Sequence, residues 1–130
     1  MVLVPEFVIE IRLSELAQEK LTNAEETVKG IIYFDGDGSL LPGIKTAPFR
    51  DVFLGEYEFE LETSGIIRIS DATISSEAYA RLSNLDYHFT VNVVSGRRAF
   101  NNNILNGGYA QGRLSDFKKE HKILVSCSLL

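Results

Sequence analysis

His88 stands two residues after Asp86 and two before Thr90, and residues at i and i+2 on a β-strand share a face. A carboxylate that orients a histidine beside a hydroxyl is the arrangement that nucleophilic hydrolases use. Asp86 and His88 therefore mark one candidate site, for a small-ligand-binding protein or a hydrolase-like enzyme. The same residues also describe the wet side of an ordinary strand. His121, in KKEHK, reads as a solvated histidine.

Two glycine-rich stretches invite other chemistry and fail on spacing. Asp35, Gly36, Asp37, Gly38 and Ser39 would let several oxygens converge on a hard cation. In the register of a helix-loop-helix calcium site, however, Tyr33 falls at the first ligand position and Ile44 at the bidentate twelfth. The expectation is a turn tolerant of positive φ, with no metal. In GGYAQGR, from Gly107, Arg113 takes the place of the phosphate-loop lysine and Leu114 that of the magnesium-binding hydroxyl. A glycine turn after Asn106 is the reading, with no cofactor. Cys127 alternates with Ile123, Val125 and Leu129, which predicts a buried, inert thiol.

Two surfaces remain as candidates for binding. Glu56, Glu58, Glu60 and Glu62 set four carboxylates on one strand face at ~7 Å spacing. Such a ladder needs cations beside it, either Lys29 or Arg68 from the same sheet or a basic partner. The stretch from Ser95 to Glu120 shows no regular pattern and combines Arg97, Arg98, Asn101, Asn102, Asn103, Phe100, Tyr109 and Arg113, with Lys118, Lys119 and Lys122 near its end. Long irregular loops on rigid scaffolds are frequent recognition elements. A surface hairpin around Asn106 and Gly107 that completes a sheet edge is the plainer alternative. If the stretch is the interface, Arg98 and Tyr109 are the residue types suited to anchor it.

Period-two alternation must position these residues. Phe7, Ile9, Ile11 and Leu13 alternate with Val8, Glu10 and Arg12; Tyr57, Phe59 and Leu61 with the glutamate ladder; Tyr87, Phe89, Val91 and Val93 with His88, Thr90 and Asn92. TVKGIIYF from Thr27 and GIIRISDATI from Gly65 are rich in β-branched residues. Turn signals separate the runs at DGDGS, LPG, TSG, SGRR and LNGG. Helix is expected only over SELAQEKL from Ser14 and SSEAYARLS from Ser75, about two turns each, with Ser75 or Ser76 as a cap. The fold class that follows is all-β: one domain over residues 1–130, a two-sheet antiparallel β-sandwich of about seven strands with one or two short helical turns. Tyr57, Phe59, Leu61, Phe89, Val91 and Val93 are its expected core.

A strand, a helical turn at SSEAYARLS and the long strand DYHFTVNVVSGR, spanning Ile66 to Arg98, resemble the strand-helix-strand passage of transthyretin-like sandwich modules, and the strand pattern is similar to immunoglobulin-like ones. The resemblance implies a fold and carries no site residues.

Composition narrows the function classes. The 130 residues are 45% apolar, too many for a disordered chain, and hold one cysteine, too few for a disulfide framework or a zinc cage. A net charge of -5 argues against sequence-independent nucleic-acid binding. No apolar run approaches the ~20 residues of a membrane-spanning helix, and no basic, apolar leader precedes Glu6 and Glu10. The expectation is a cytoplasmic, non-enzymatic binding module for a protein partner, an accessory or immunity-type protein being one concrete version. A structural assembly subunit is the further alternative.

Overall fold

The computed structural model describes residues 1–37, 51–82, 86–113 and 122–130. The turns expected after Asp37, the C-terminal part of the Ser95 to Glu120 stretch from Leu114, and Lys118, Lys119 and His121 lie outside them.

Among the described residues ten strands and two helices follow one another: β1 (Val2–Leu3), β2 (Phe7–Leu13), α1 (Glu15–Ala24), β3 (Val28–Asp37), β4 (Asp51–Leu61), β5 (Gly65–Ile69), β6 (Thr73–Ile74), α2 (Ser76–Tyr79), β7 (His88–Ser95), β8 (Leu105–Asn106), β9 (Tyr109–Arg113) and β10 (Lys122–Leu129). Two four-stranded sheets form the sandwich, in the orders β5-β2-β10-β8 and β4-β3-β7-β9, and β1 pairs with β6 in a small third sheet. The all-β sandwich expected from the alternation is therefore the architecture. Short strands that carry no periodic signal, β1, β6 and β8, raise the strand number above seven.

The second sheet is antiparallel throughout. In the first, β2 and β10 run parallel, from Val8 opposite Lys122 to Leu13 opposite Cys127. This parallel pair departs from the antiparallel expectation, because alternation reports which face a residue takes and is silent on strand direction.

Alternation decides the core. Phe7, Ile9 and Ile11 of β2, Val28, Ile32 and Phe34 of β3, Phe89, Val91 and Val93 of β7, and Ile123, Val125 and Cys127 of β10 are all buried. Of the six expected core residues, Phe59, Phe89, Val91 and Val93 are buried, while Tyr57 and Leu61 are partly buried against the same cluster. Phe7 ties the two sheets together: its ring stacks on Phe89 at 6.2 Å and meets Phe34 edge-on at 6.5 Å. Tyr87 extends the cluster from Phe34, and Tyr79 of α2 closes it. Gly30 is required beneath Phe59, since a Cβ there would stand 2.1 Å from the ring.

The helices obey their caps. Ser14 Oγ accepts the Ala17 N–H and Ser75 Oγ the Ala78 N–H, each at 3.2 Å. Ala17 and Leu21 bury α1 against the core. Its ten residues run nearly a turn longer than expected, whereas α2 is a single turn of four.

Replacing Phe7 or Phe89 by Ala removes an inter-sheet ring and leaves a cavity, so each variant should lose ~3–5 kcal/mol in denaturant unfolding. A loss below ~1 kcal/mol at either position would contradict the inter-sheet role.

Candidate functional site

The residues that β3 turns away from the core, Lys29, Ile31, Tyr33 and Asp35, lie on the outer face of the second sheet, and strand pairing arranges their neighbours in rows. Glu58, Ile31, Asn92 and Tyr109 form one row; Glu56, Tyr33, Thr90 and Gln111 the next; Phe53, Asp35, His88 and Arg113 a third. An irregularity between Phe34 and Asp35 of β3, opposite Gly55 and Phe53 of β4, lets Leu54 stand as an extra residue. That bulge exchanges the faces of β4: Val52 and Leu54 point inward before it, Phe59 after it. Phe53 is thereby left 60% exposed, and Tyr109, on the opposite edge, is 55% exposed.

The glutamate ladder is partly neutralised on this face. Glu58 pairs with Lys29 at 3.4 Å. Glu60 accepts from Arg98 Nη2 at 2.9 Å and Nε at 3.2 Å, and from the Thr27 hydroxyl at 3.0 Å. These bonds, Arg98 first, hold the Glu60 carboxyl below its ordinary range. Arg68, the other expected cation, sits in the first sheet and pairs with Glu6 at 2.9 Å. Glu56 forms no ion pair among the described residues, and Glu62 lies beyond the end of β4. The acidic ladder and the Arg98 segment, two separate candidates in the sequence, thus meet at one corner of one sheet.

His88 does not form the alignment that its spacing suggested. Its Nε2 faces Asp35 of β3 at 3.6 Å, while Asp86 Oδ1 accepts the Tyr87 N–H at 3.0 Å and Asp86 Oδ2 lies 3.9 Å from Arg113. An open groove of about 300 Å³ runs past His88, Thr90, Gln111 and Arg113. It is an open depression in which these side chains are polar and basic, with no carboxylate among the described residues of its lining.

As far as Arg113, the stretch after Ser95 is not one irregular loop, and that reading is corrected there. It contains β8 and the edge strand β9, with Gly107 at φ 83° in the turn between them, so GGYAQGR is a turn and a strand. At its start lies a carboxylate that sequence patterning did not single out. Glu26, 2% exposed, accepts four backbone N–H groups: Thr27 at 2.9 Å and Arg98 at 2.8 Å on Oε1, Ala99 and Phe100 at 3.0 Å each on Oε2. Burial by itself would raise this carboxyl, but the four N–H bonds outweigh it and hold it below its ordinary 4.5. Arg97 enters the clamp in the left-handed region, φ 59°.

The asparagines separate into two roles. Asn103 Oδ1 accepts from the Ser95 and Leu105 N–H groups at 2.9 and 3.0 Å, and its Nδ2 donates to the Leu105 carbonyl, so it staples the segment internally. Asn101, Asn102 and Arg97 are exposed at the tip. Cys127 is buried as expected, and burial pushes its thiol up to about 11. Among the described residues no group of three or more His, Cys, Asp or Glu side chains is placed to hold a metal ion.

A carboxyl whose folded value lies below its unfolded one stabilises the fold above the unfolded value and loses that contribution as pH falls through the folded value. Wild-type stability should therefore decline below about pH 4.5. Glu26→Gln cannot accept four N–H bonds with a charge; at pH 7 it should cost ~2–3 kcal/mol and flatten the acid limb of stability against pH. An unchanged acid limb in that variant would remove Glu26 as its source.

No protein-family model matches the chain, and neither a curated protein nor a solved structure matches it.

Proposed function

We propose that the chain is a non-enzymatic protein-binding module whose partner seats on the outer face of β4-β3-β7-β9. One observation carries this reading: Phe53 and Tyr109, the two aromatic residues among the exposed large hydrophobics of the described residues, stand on opposite edges of this one face. Ile31 and Tyr33 lie between them, half-buried, and Glu56, Glu58 and Arg113 stand at the sides. An aromatic centre with a charged rim is the anatomy of a recognition patch. An occluding role of the accessory or immunity type suits such a face, since it needs contact area and no reacting group. The protein acts in the cytoplasm on this reading, without a cofactor, and no described helix is long and apolar enough to cross a membrane. The sandwich frame remains compatible with a transthyretin-like or immunoglobulin-like module.

A small-ligand reading draws on the groove of about 300 Å³ beside His88, Thr90, Gln111 and Arg113. Its openness and the carboxylates Asp35 and Asp86 next to its cations favour the protein partner.

The test is affinity capture from the native host with the wild type and with Phe53→Ala/Tyr109→Ala. The double variant should keep the wild-type melting midpoint, because both side chains are largely exposed, and should bind the captured protein at least tenfold more weakly, about 1.4 kcal/mol. Equal binding by the two proteins would move the interface elsewhere, and loss on replacing Asn101 and Asn102 instead would place it at the loop tip.

A further inference from the structure

We propose that the occupant of this face is a second copy of the chain, docked about a two-fold axis that runs parallel to the strands between β3 and β7; the inference rests on the docking face just described. Such an axis lays β4 of one copy over β9 of the other and β3 over β7 while keeping each row opposite itself. Glu58 then faces the Tyr109 hydroxyl, and Glu56 faces the Gln111 amide with Arg113 one row away. Phe53 faces the Arg113 guanidinium, a cation over a ring, and Asp35 faces His88. Of the acids in these three rows, Glu56, Glu58 and Asp35 each meet a polar or cationic side chain of the other copy, and each contact occurs twice.

The asymmetry of the face is what selects this occupant. Glu56 and Glu58 stand on β4, and the Gln111 amide and Arg113 on β9, at opposite edges of one sheet. A partner with the reverse arrangement is required, and a copy turned about this axis supplies it. A two-fold axis across the strands would instead set β4 on β4 and glutamate against glutamate. Arg113 stands one row, ~7 Å, from the position that Glu56 faces, within reach of its long side chain. The footprint, four strands wide and seven residues tall, is on the order of 450 Å² per copy. That is below the ~800 Å² per partner of a standard interface and fits a reversible, concentration-dependent dimer.

Within one copy, Glu56 and Arg113 are separated by three strand spacings, ~14 Å, so a charge exchange between them is compensated only across a dimer. Sedimentation equilibrium of the full chain over a wide concentration range, at low and moderate salt, reads this directly. The expected result is a monomer-dimer equilibrium in the wild type, at least tenfold weaker in Glu56→Arg and in Arg113→Glu, and restored toward wild type in the double exchange. Melting curves in dilute solution should agree among all four proteins. A wild type that stays monomeric at every concentration overturns the second copy, as does a double exchange no tighter than the single variants. The broader docking reading survives a monomeric wild type if Phe53→Ala/Tyr109→Ala loses a captured heterologous protein, and falls with it if that variant binds unchanged.

Discussion

Four backbone N–H groups converging on one buried carboxylate organise the end of the second sheet. Glu26 follows the left-handed Glu25 that caps α1 and precedes β3, so its backbone is held by the helix on one side and the sheet on the other. Its side chain spans to residues 98–100, more than seventy positions along the chain. A buried carboxylate without partners would cost several kcal/mol; with both oxygens doubly bonded, it converts that cost into a fixed geometry for the segment after β7. Arg98 reaches Glu60 because its own N–H is held by Glu26. The corner of the outer face is an indirect product of this clamp.

The two faces of the second sheet divide the work by residue type. Inward, Phe34 and Phe89 pack on Phe7 of the opposite sheet, with Ile32 and Val91 in the same core cluster. Outward, the same strands present alternating acids, donors and rings. The bulge beside Gly55 determines where this division falls on β4: without the extra Leu54, either Phe53 or the glutamates would point into the core. A four-stranded surface of this kind offers area and graded charge, the features on which the proposed docking reading rests.

Much of this frame was legible in the sequence because a half-buried strand writes its burial into every second residue. β2, β3, β7 and β10 carry that mark in bulky side chains. β9 does not: its core-facing residues are Ala110 and Gly112, small because the Phe89 ring lies against Gly112, and YAQGR consequently reads as loop. Glu26 left no trace, since a clamp made of backbone N–H groups has no side-chain signature at its far end. The exposed Phe53 was hidden by the bulge, whose only hint is a glycine inside a strand. The glutamate ladder and the Arg98 segment were each visible, but their meeting depends on which strands are neighbours, information that alternation lacks.

The parallel pairing of β2 with β10 has a consequence for how the chain reaches this state. Glu10 and Lys122, joined across that pair at 3.3 Å, are 112 residues apart. The central ladder of the first sheet therefore closes the longest loop in the fold, and the entropy of that closure must be met before its contacts give anything back. Until β10 arrives, β2 offers one unpaired edge to solvent, with Phe7, Ile9 and Ile11 on the side that the second sheet has to cover. Antiparallel neighbours such as β3 and β4 are close enough along the chain to form early. During synthesis the second sheet can assemble while the first still waits for its inner strand, and the interval between these events is when the molecule is most exposed to pairing with the wrong edge.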